Sequence, residues 1–259
     1  MDLGLRNKVA LVTAASKGMG KASAMGLAAE GARVAMCART ASDLETAAAE
    51  VRAKTGAEVF AMPADVTRPE QITALVAKVA ERFGGIDILV ANAGGPPRGH
   101  FETLTDEQWL GAVDVSLMST VRLIRAVLPS MKARKWGRIL TIQSSSVKQP
   151  IPELLLSNSV RPGVAGLMKT LALQLGPDNI LVNTVCPGKI MTDRFMSGVP
   201  SSGLSREKYL ETTSAEVPLG RIGTPEEFAN VIVFLASERA SYLTGVTLQV
   251  DGGLVRGLL

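Results

Sequence analysis

Thr13-Ala14-Ala15-Ser16-Lys17-Gly18-Met19-Gly20 is the stretch best suited to hold a reactant. It sets small residues and two glycines between a short apolar run, Val9 to Val12, and a segment with an apolar face, Ala22 to Ala29, that Gly31 stops. A buried parallel strand feeding a glycine-bearing turn that opens a helix aims unpaired backbone N–H groups at one point, and the helix dipole adds positive potential there. That is a seat for a pyrophosphate. More polar residues fall just past the other apolar runs. Asp65-Val66 offers a carboxylate to an adenine amino group, and Asn92-Ala93-Gly94, Ser144 and Pro187-Gly188 occupy equivalent places.

To bring these residues together the chain must alternate strand and helix. Arg33 to Ala38, Glu58 to Met62, Ile86 to Ala91, Arg138 to Ile142, Ile180 to Cys186 and Val246 to Val250 read as further strands. Helices are expected over Ser42 to Lys54, Pro69 to Phe83 with Pro at its start, Thr105 to about Arg134, Ser157 to Leu175, and onward from Thr224. Pro129 is expected to kink or interrupt the long one. Strands joined through helices of ten or more residues pair in parallel with right-handed crossovers. The fold class is therefore α/β, a single Rossmann-type doubly wound parallel sheet with helices on both faces. Ligands of such sheets bind at the carboxyl ends of the strands, at the switch point. Residues 1–259 read as one domain; about 189–216, rich in Ser, Gly and Pro, reads as a mobile substrate lid or as a merely disordered insertion.

At 46% hydrophobic and 20% charged residues over 259, the composition is that of a globular protein with a substantial core. No apolar run reaches the roughly 18 residues of a membrane span, and Met1 to Lys8 lacks the apolar region of a signal peptide. Cys37 and Cys186 lie in strand-like runs without metal-ligand spacing, so no metal is expected and a reduced, cytoplasmic protein is. The net charge of +4 is dispersed, with no basic stripe interleaved with aromatics, so nucleic acid is not an expected partner.

In order and spacing, TAASKGMG, ANAG, LVNTVCPGKIMT and the closing LTGVTLQVDGG resemble the short-chain dehydrogenase/reductase family over essentially the whole chain. The resemblance implies a nicotinamide dinucleotide held by Thr13, Ser16, Lys17, Gly18, Met19, Gly20, Arg39, Asp65, Val66, Asn92, Ala93, Gly94, Arg161, Pro187, Gly188, Ile190 and Thr192. Members that take NAD carry an acid after the second strand. Here Cys37-Ala38-Arg39-Thr40 stands there, and Lys17 and Arg39 can flank a 2′-phosphate, which favours NADP(H) over NAD(H).

The family's chemistry uses a Ser, a Tyr and a Lys, with an Asn on the long helix. By the same resemblance Ser144 takes the serine position, Ser157-Asn158-Ser159-Val160-Arg161 replaces Y-x-x-x-K, Ser116 replaces the Asn, and Ala14 replaces the first glycine of the turn. Ser157 is a far weaker acid than a phenol. Arg161 can hold ribose hydroxyls but keeps its proton. Lys148 is the first candidate for a substitute proton donor, placed near Arg161; His100, Glu153 and Tyr209 rank below it. The expected function is an NADP(H)-dependent oxidoreductase acting on a small carbonyl or alcohol, similar to 3-oxoacyl-carrier-protein reductases. The alternatives are a catalytically weak or inactive NADP(H)-binding sensor or a structural subunit, and in each case a homo-oligomer, tetramer or dimer.

Overall fold

In the computed structural model, which describes residues 1–258, the first apolar run is strand β1 (Val9–Thr13), buried along its whole length. The others are β2 (Arg33–Ala38), β3 (Val59–Pro63), β4 (Ile88–Ala91), β5 (Gly137–Ile142), β6 (Ile180–Pro187) and β7 (Thr247–Val250). All pair in parallel, in the order β3-β2-β1-β4-β5-β6-β7. The order reverses between β1 and β4, which makes that crevice the switch point.

Successive strand residues serve opposite faces. Ala10, Val12, Val34 and Met36 pack under helices α1 (Gly18–Ala29), α2 (Ala41–Thr55) and α10 (Pro225–Ala236). Val9, Leu11, Ala35 and Cys37 pack under α3 (Pro69–Phe83), α5 (Ser119–Arg134) and α6 (Leu155–Leu175). With both faces covered, polar alternation has no place, and the strands read as continuous apolar runs. Each fully buried leucine, such as Leu11 or Leu89, contributes roughly 1.5–3 kcal/mol.

Several boundaries differ from expectation. β4 begins at Ile88 rather than Ile86, where Asp87 turns its carboxylate onto the Val9 N–H (2.8 Å) and Arg134 (3.2 Å). The long helix is not broken at Pro129. That residue and Arg125, whose carbonyl it leaves free, face solvent, so water satisfies the carbonyl and α5 runs on to Arg134. The break comes earlier, where Asp114–Met118 winds as a π-helix between α4 (Asp106–Val113) and α5. α6 starts two residues before Ser157, its entry tied by the Asn158 amide to both backbone groups of Ile151 (3.1 and 2.8 Å). Segment 189–216 carries three short helices, α7 (Asp193–Met196), α8 (Val199–Ser202) and α9 (Arg206–Ala215), with Thr192 and Ser205 capping the first and third. Among the described residues no helix is long and apolar enough to cross a membrane.

Candidate active site

At the switch point the tips of β1 and β4 are fastened by Thr13, whose hydroxyl donates to Asn92 O (2.7 Å) and accepts from Asn92 N–H (2.9 Å). The chain then turns sharply, with Ala14 at φ +47° and Gly18 at φ +54°. A Cβ on Gly20 would lie 2.4 Å from the Ala14 carbonyl oxygen, so only glycine lets α1 start this close to β1. No side chain caps α1 and its first turn holds no acid, whereas Thr224 and Glu227 form a full capping box on α10. The free N–H groups at the head of α1 therefore fit a diphosphate.

The cations beside this turn have acidic company. Lys17 pairs with Asp43 (3.0 Å), whose hydrogen bond and charge raise the lysine pKa. Burial acts to raise the Asp65 pKa. Hydrogen bonds from the Thr67 N–H (2.9 Å) and hydroxyl (2.8 Å), with the charges of Arg39 and Arg68, outweigh it and hold the carboxyl below its usual range. Arg39 directly follows β2, and Lys17 pairs with Asp43 on the helix that comes after it.

Deeper in, a cavity of about 610 Å³ opens beyond the ends of β4, β5 and β6. Met19, Asn92, Ala93, Ser144, Ser157, Arg161, Pro187, Gly188, Ile190 and Thr192 all line it, so ten of the expected residues meet in one space. The Ser144 hydroxyl accepts from the Ser146 N–H (3.1 Å), which leaves its own proton to donate. The Ser146 and Ser157 hydroxyls share a hydrogen bond (3.1 Å). Arg161 is buried, and its Nη1 donates to Gln143 Oε1 (3.0 Å). Burial first, and then the charge of Arg194, push the Arg161 pKa down to about 10, opposed by Cys186. Ser116 Oγ, in the π-turn, is buried without a hydrogen-bond partner among the described residues.

Lys148, expected to face the substrate beside Arg161, instead ends the helical turn Ser145–Val147, half-buried, and does not line the cavity. The cation coupled to Arg161 is Arg194, on α7. His100 is exposed at the start of the turn Phe101–Thr103. Glu153 lines the cavity but pairs with Arg98 (2.7 Å). Tyr209, on α9 within segment 189–216, lines the cavity with its hydroxyl donating to Phe195 O at 3.5 Å, and Tyr242 is fully exposed elsewhere. The sequence reading missed Gln143 and Arg194. Gln143 sits directly before Ser144 at the mouth of β5, and that adjacency is the signal that could have found it.

The comparisons with known proteins agree with this geometry. A family profile described as Enoyl-(Acyl carrier protein) reductase matches residues 13–255. The chain is 39% identical over 254 residues to the "Monensin polyketide synthase putative ketoacyl reductase" of Streptomyces virginiae, covering 96% of this chain and 97% of that one. It is 37% identical to the "3-oxoacyl-[acyl-carrier-protein] reductase FabG" of Vibrio cholerae, covering 97% and 99%. L-Sorbose reductase from Gluconobacter frateurii, solved with NADPH and L-sorbose, superimposes with a TM-score of 0.96 at 37% identity over 100% of both chains. An NADPH-bound short chain oxidoreductase from Pseudomonas aeruginosa, described as containing an atypical catalytic center, gives 0.91 at 31% identity over 98% and 99%.

Proposed function

This chain belongs to the short-chain dehydrogenase/reductase family, and we propose that it is an NADP(H)-dependent oxidoreductase acting on a small carbonyl or alcohol, with Ser157 and Arg161 where the family has Tyr and Lys. The observation that carries this reading is the cavity at the switch point, where Ser144, Ser157 and Arg161 converge beyond the uncapped head of α1. NADPH in the related sorbose reductase, and in the relative with an atypical catalytic center, supports the choice of cofactor. So does the place of Lys17 and Arg39, on the side where an extra phosphate would sit.

When bound, the nicotinamide supplies or accepts the hydride. The protein does the rest. Ser144 donates its hydroxyl proton as a hydrogen bond to the substrate oxygen, and Ser157 lies alongside, braced by Ser146. Arg161, fixed by Gln143, places a positive charge where the oxygen becomes negative. Losing a phenolic general acid costs ~10²–10⁴ in rate, or roughly 3–5.5 kcal/mol. Orientation in the cleft supplies about 7–11 kcal/mol, so reduction survives without the tyrosine and takes its proton from water. Segment 189–216 acts as the lid over a single domain. Exposed Leu248 on edge strand β7 and Leu173 on α6 favour a homo-oligomer, dimer or tetramer, and the free, buried thiols of Cys37 and Cys186 favour the cytoplasm.

The test is a fluorescence titration with NADPH and NADH, followed by NADPH absorbance with ketones, diketones and acyl thioesters. NADPH should bind at least tenfold more tightly than NADH, and Lys17→Ala with Arg39→Ala should erase that preference. NADPH-dependent turnover is expected. Tight binding with no turnover on any carbonyl would make the protein a sensor, and no binding would refute the reading.

A further inference from the structure

Six charged side chains line the cavity among the described residues, and their pairing is uneven. Arg98 is neutralised by Glu153 (2.7 Å) and Lys189 by Glu216 (3.4 Å). Arg161 and Arg194 have no carboxylate partner among the described residues. Arg161 has Gln143 and Arg194 the carbonyl of Pro96 (3.1 Å), both neutral acceptors. Arg161 is buried, and a buried cation without a counter-charge carries a large free-energy penalty; Arg194 keeps solvent exposure while its guanidinium lines the same cavity. Burial and then the charge of Arg194 hold Arg161 below its usual pKa, and partial desolvation of the guanidinium and then the charge of Arg98 lower that of the otherwise exposed Arg194. Arg161 and Arg194 thus line one open space as two like charges without a carboxylate partner among the described residues.

Arg194 is also built in. Its guanidinium lies over Gly95, where a Cβ would come within 2.4 Å of Nη2. The loop after β4 is therefore shaped to receive this side chain, in a lid otherwise dominated by small and polar residues.

We propose that the substrate of this reductase carries a carboxylate, and that Arg194, with the charge of Arg161 behind it, holds that carboxylate while Ser144 faces the carbonyl. This rests on the assignment of the cleft as a reductase site and narrows its substrates to oxo acids or the matching hydroxy acids. An anion between the two arginines supplies the missing counter-charge in a site where Coulomb energies are large. Closing the lid on such a substrate brings its own recognition group down with it.

The probes are pyruvate, acetoacetate and laevulinate, which vary the spacing of carbonyl and carboxylate, each paired with its methyl ester. Calorimetry on the NADPH-saturated protein reads binding, and NADPH absorbance reads turnover. At least one acid should bind and exceed its ester at least tenfold in kcat/KM. Arg194→Met should raise KM for that acid at least tenfold, shift KM for the ester far less, leave the Kd for NADPH within twofold, and be partly rescued by Arg194→Lys. Three results would overturn the proposal: esters used as well as acids, no acid bound to the NADPH complex, or a loss in Arg194→Met that falls on NADPH affinity. The last would make Arg194 a grip for the cofactor's phosphates. Failure of the wild-type protein to bind NADPH would instead sink the reductase assignment beneath it.

Discussion

Replacing Arg161 by methionine should abolish turnover and yet leave the protein at least as stable as before. Its guanidinium is buried, and the fall in pKa from the ordinary 12.5 to about 10 corresponds to about 3 kcal/mol spent keeping it charged in the fold. Methionine fills the stem's volume without that penalty. Against this, the hydrogen bond to Gln143 disappears and leaves a buried amide oxygen unpaired, at about 1–3 kcal/mol. The balance is a gain of about 1 kcal/mol, which the double variant Arg161→Met, Gln143→Leu should extend toward about 3 kcal/mol. The pH dependence has a defined sign. The folded-state pKa lies below the unfolded one, so the penalty is full below about pH 10 and shrinks as pH rises from there toward 12.5. Urea midpoints at pH 8 and pH 10.5, at constant m, should therefore show the variant's advantage narrowing, while kcat/KM falls at least a hundredfold. A variant more than 1 kcal/mol less stable than the parent, with turnover kept, would refute the reasoning.

Three further outcomes follow from local geometry. Ala14 holds φ +47°, a conformation that costs a residue with a Cβ about 1–2 kcal/mol; Ala14→Gly should recover about 0.5–1 kcal/mol after the unfolded-state entropy of glycine, read as a melting temperature higher by about 1–3 °C. Ser116→Ala removes a buried hydroxyl that has no partner among the described residues, so chemical denaturation should find it unchanged or up to about 1 kcal/mol more stable. Glu227 is held near 2 by the Arg221 hydrogen bonds and the Thr224 N–H, so its contribution is full above its ordinary 4.5 and lost as pH falls through about 2. Glu227→Gln should accordingly be less stable than the parent at pH 7 and converge with it near pH 2 in denaturant melts.

The frame was legible because parallel strands covered on both faces leave unbroken apolar runs, such as Val9 to Val12 and Arg33 to Ala38, and because Thr105 and Thr224 announce their helices through capping boxes. Residues placed by strand ends, Asn92, Ser144 and Gly188 among them, arrived where the topology sends them. What escaped depends on contacts far apart in sequence. The π-turn at Asp114–Met118 has helical composition and no breaker, so nothing local marks the extra winding. Pro129 carried a strong local signal that solvent exposure made harmless. Lys148 follows Ser144 closely and so reads as a cleft lysine, but it ends the helical turn Ser145–Val147 and is not among the residues that line the cavity. Arg194 reaches Pro96 across 98 residues of chain, a pairing that composition cannot display.

The seating of Arg194 on Gly95 joins the segment after β6 to the segment after β4 as two halves of one fitting. Anyone grafting a foreign specificity loop onto this scaffold would have to exchange both halves together. A transplanted partner lacking the arginine would leave an unfilled notch over the glycine, and one bringing any side chain to position 95 would wedge the pair apart.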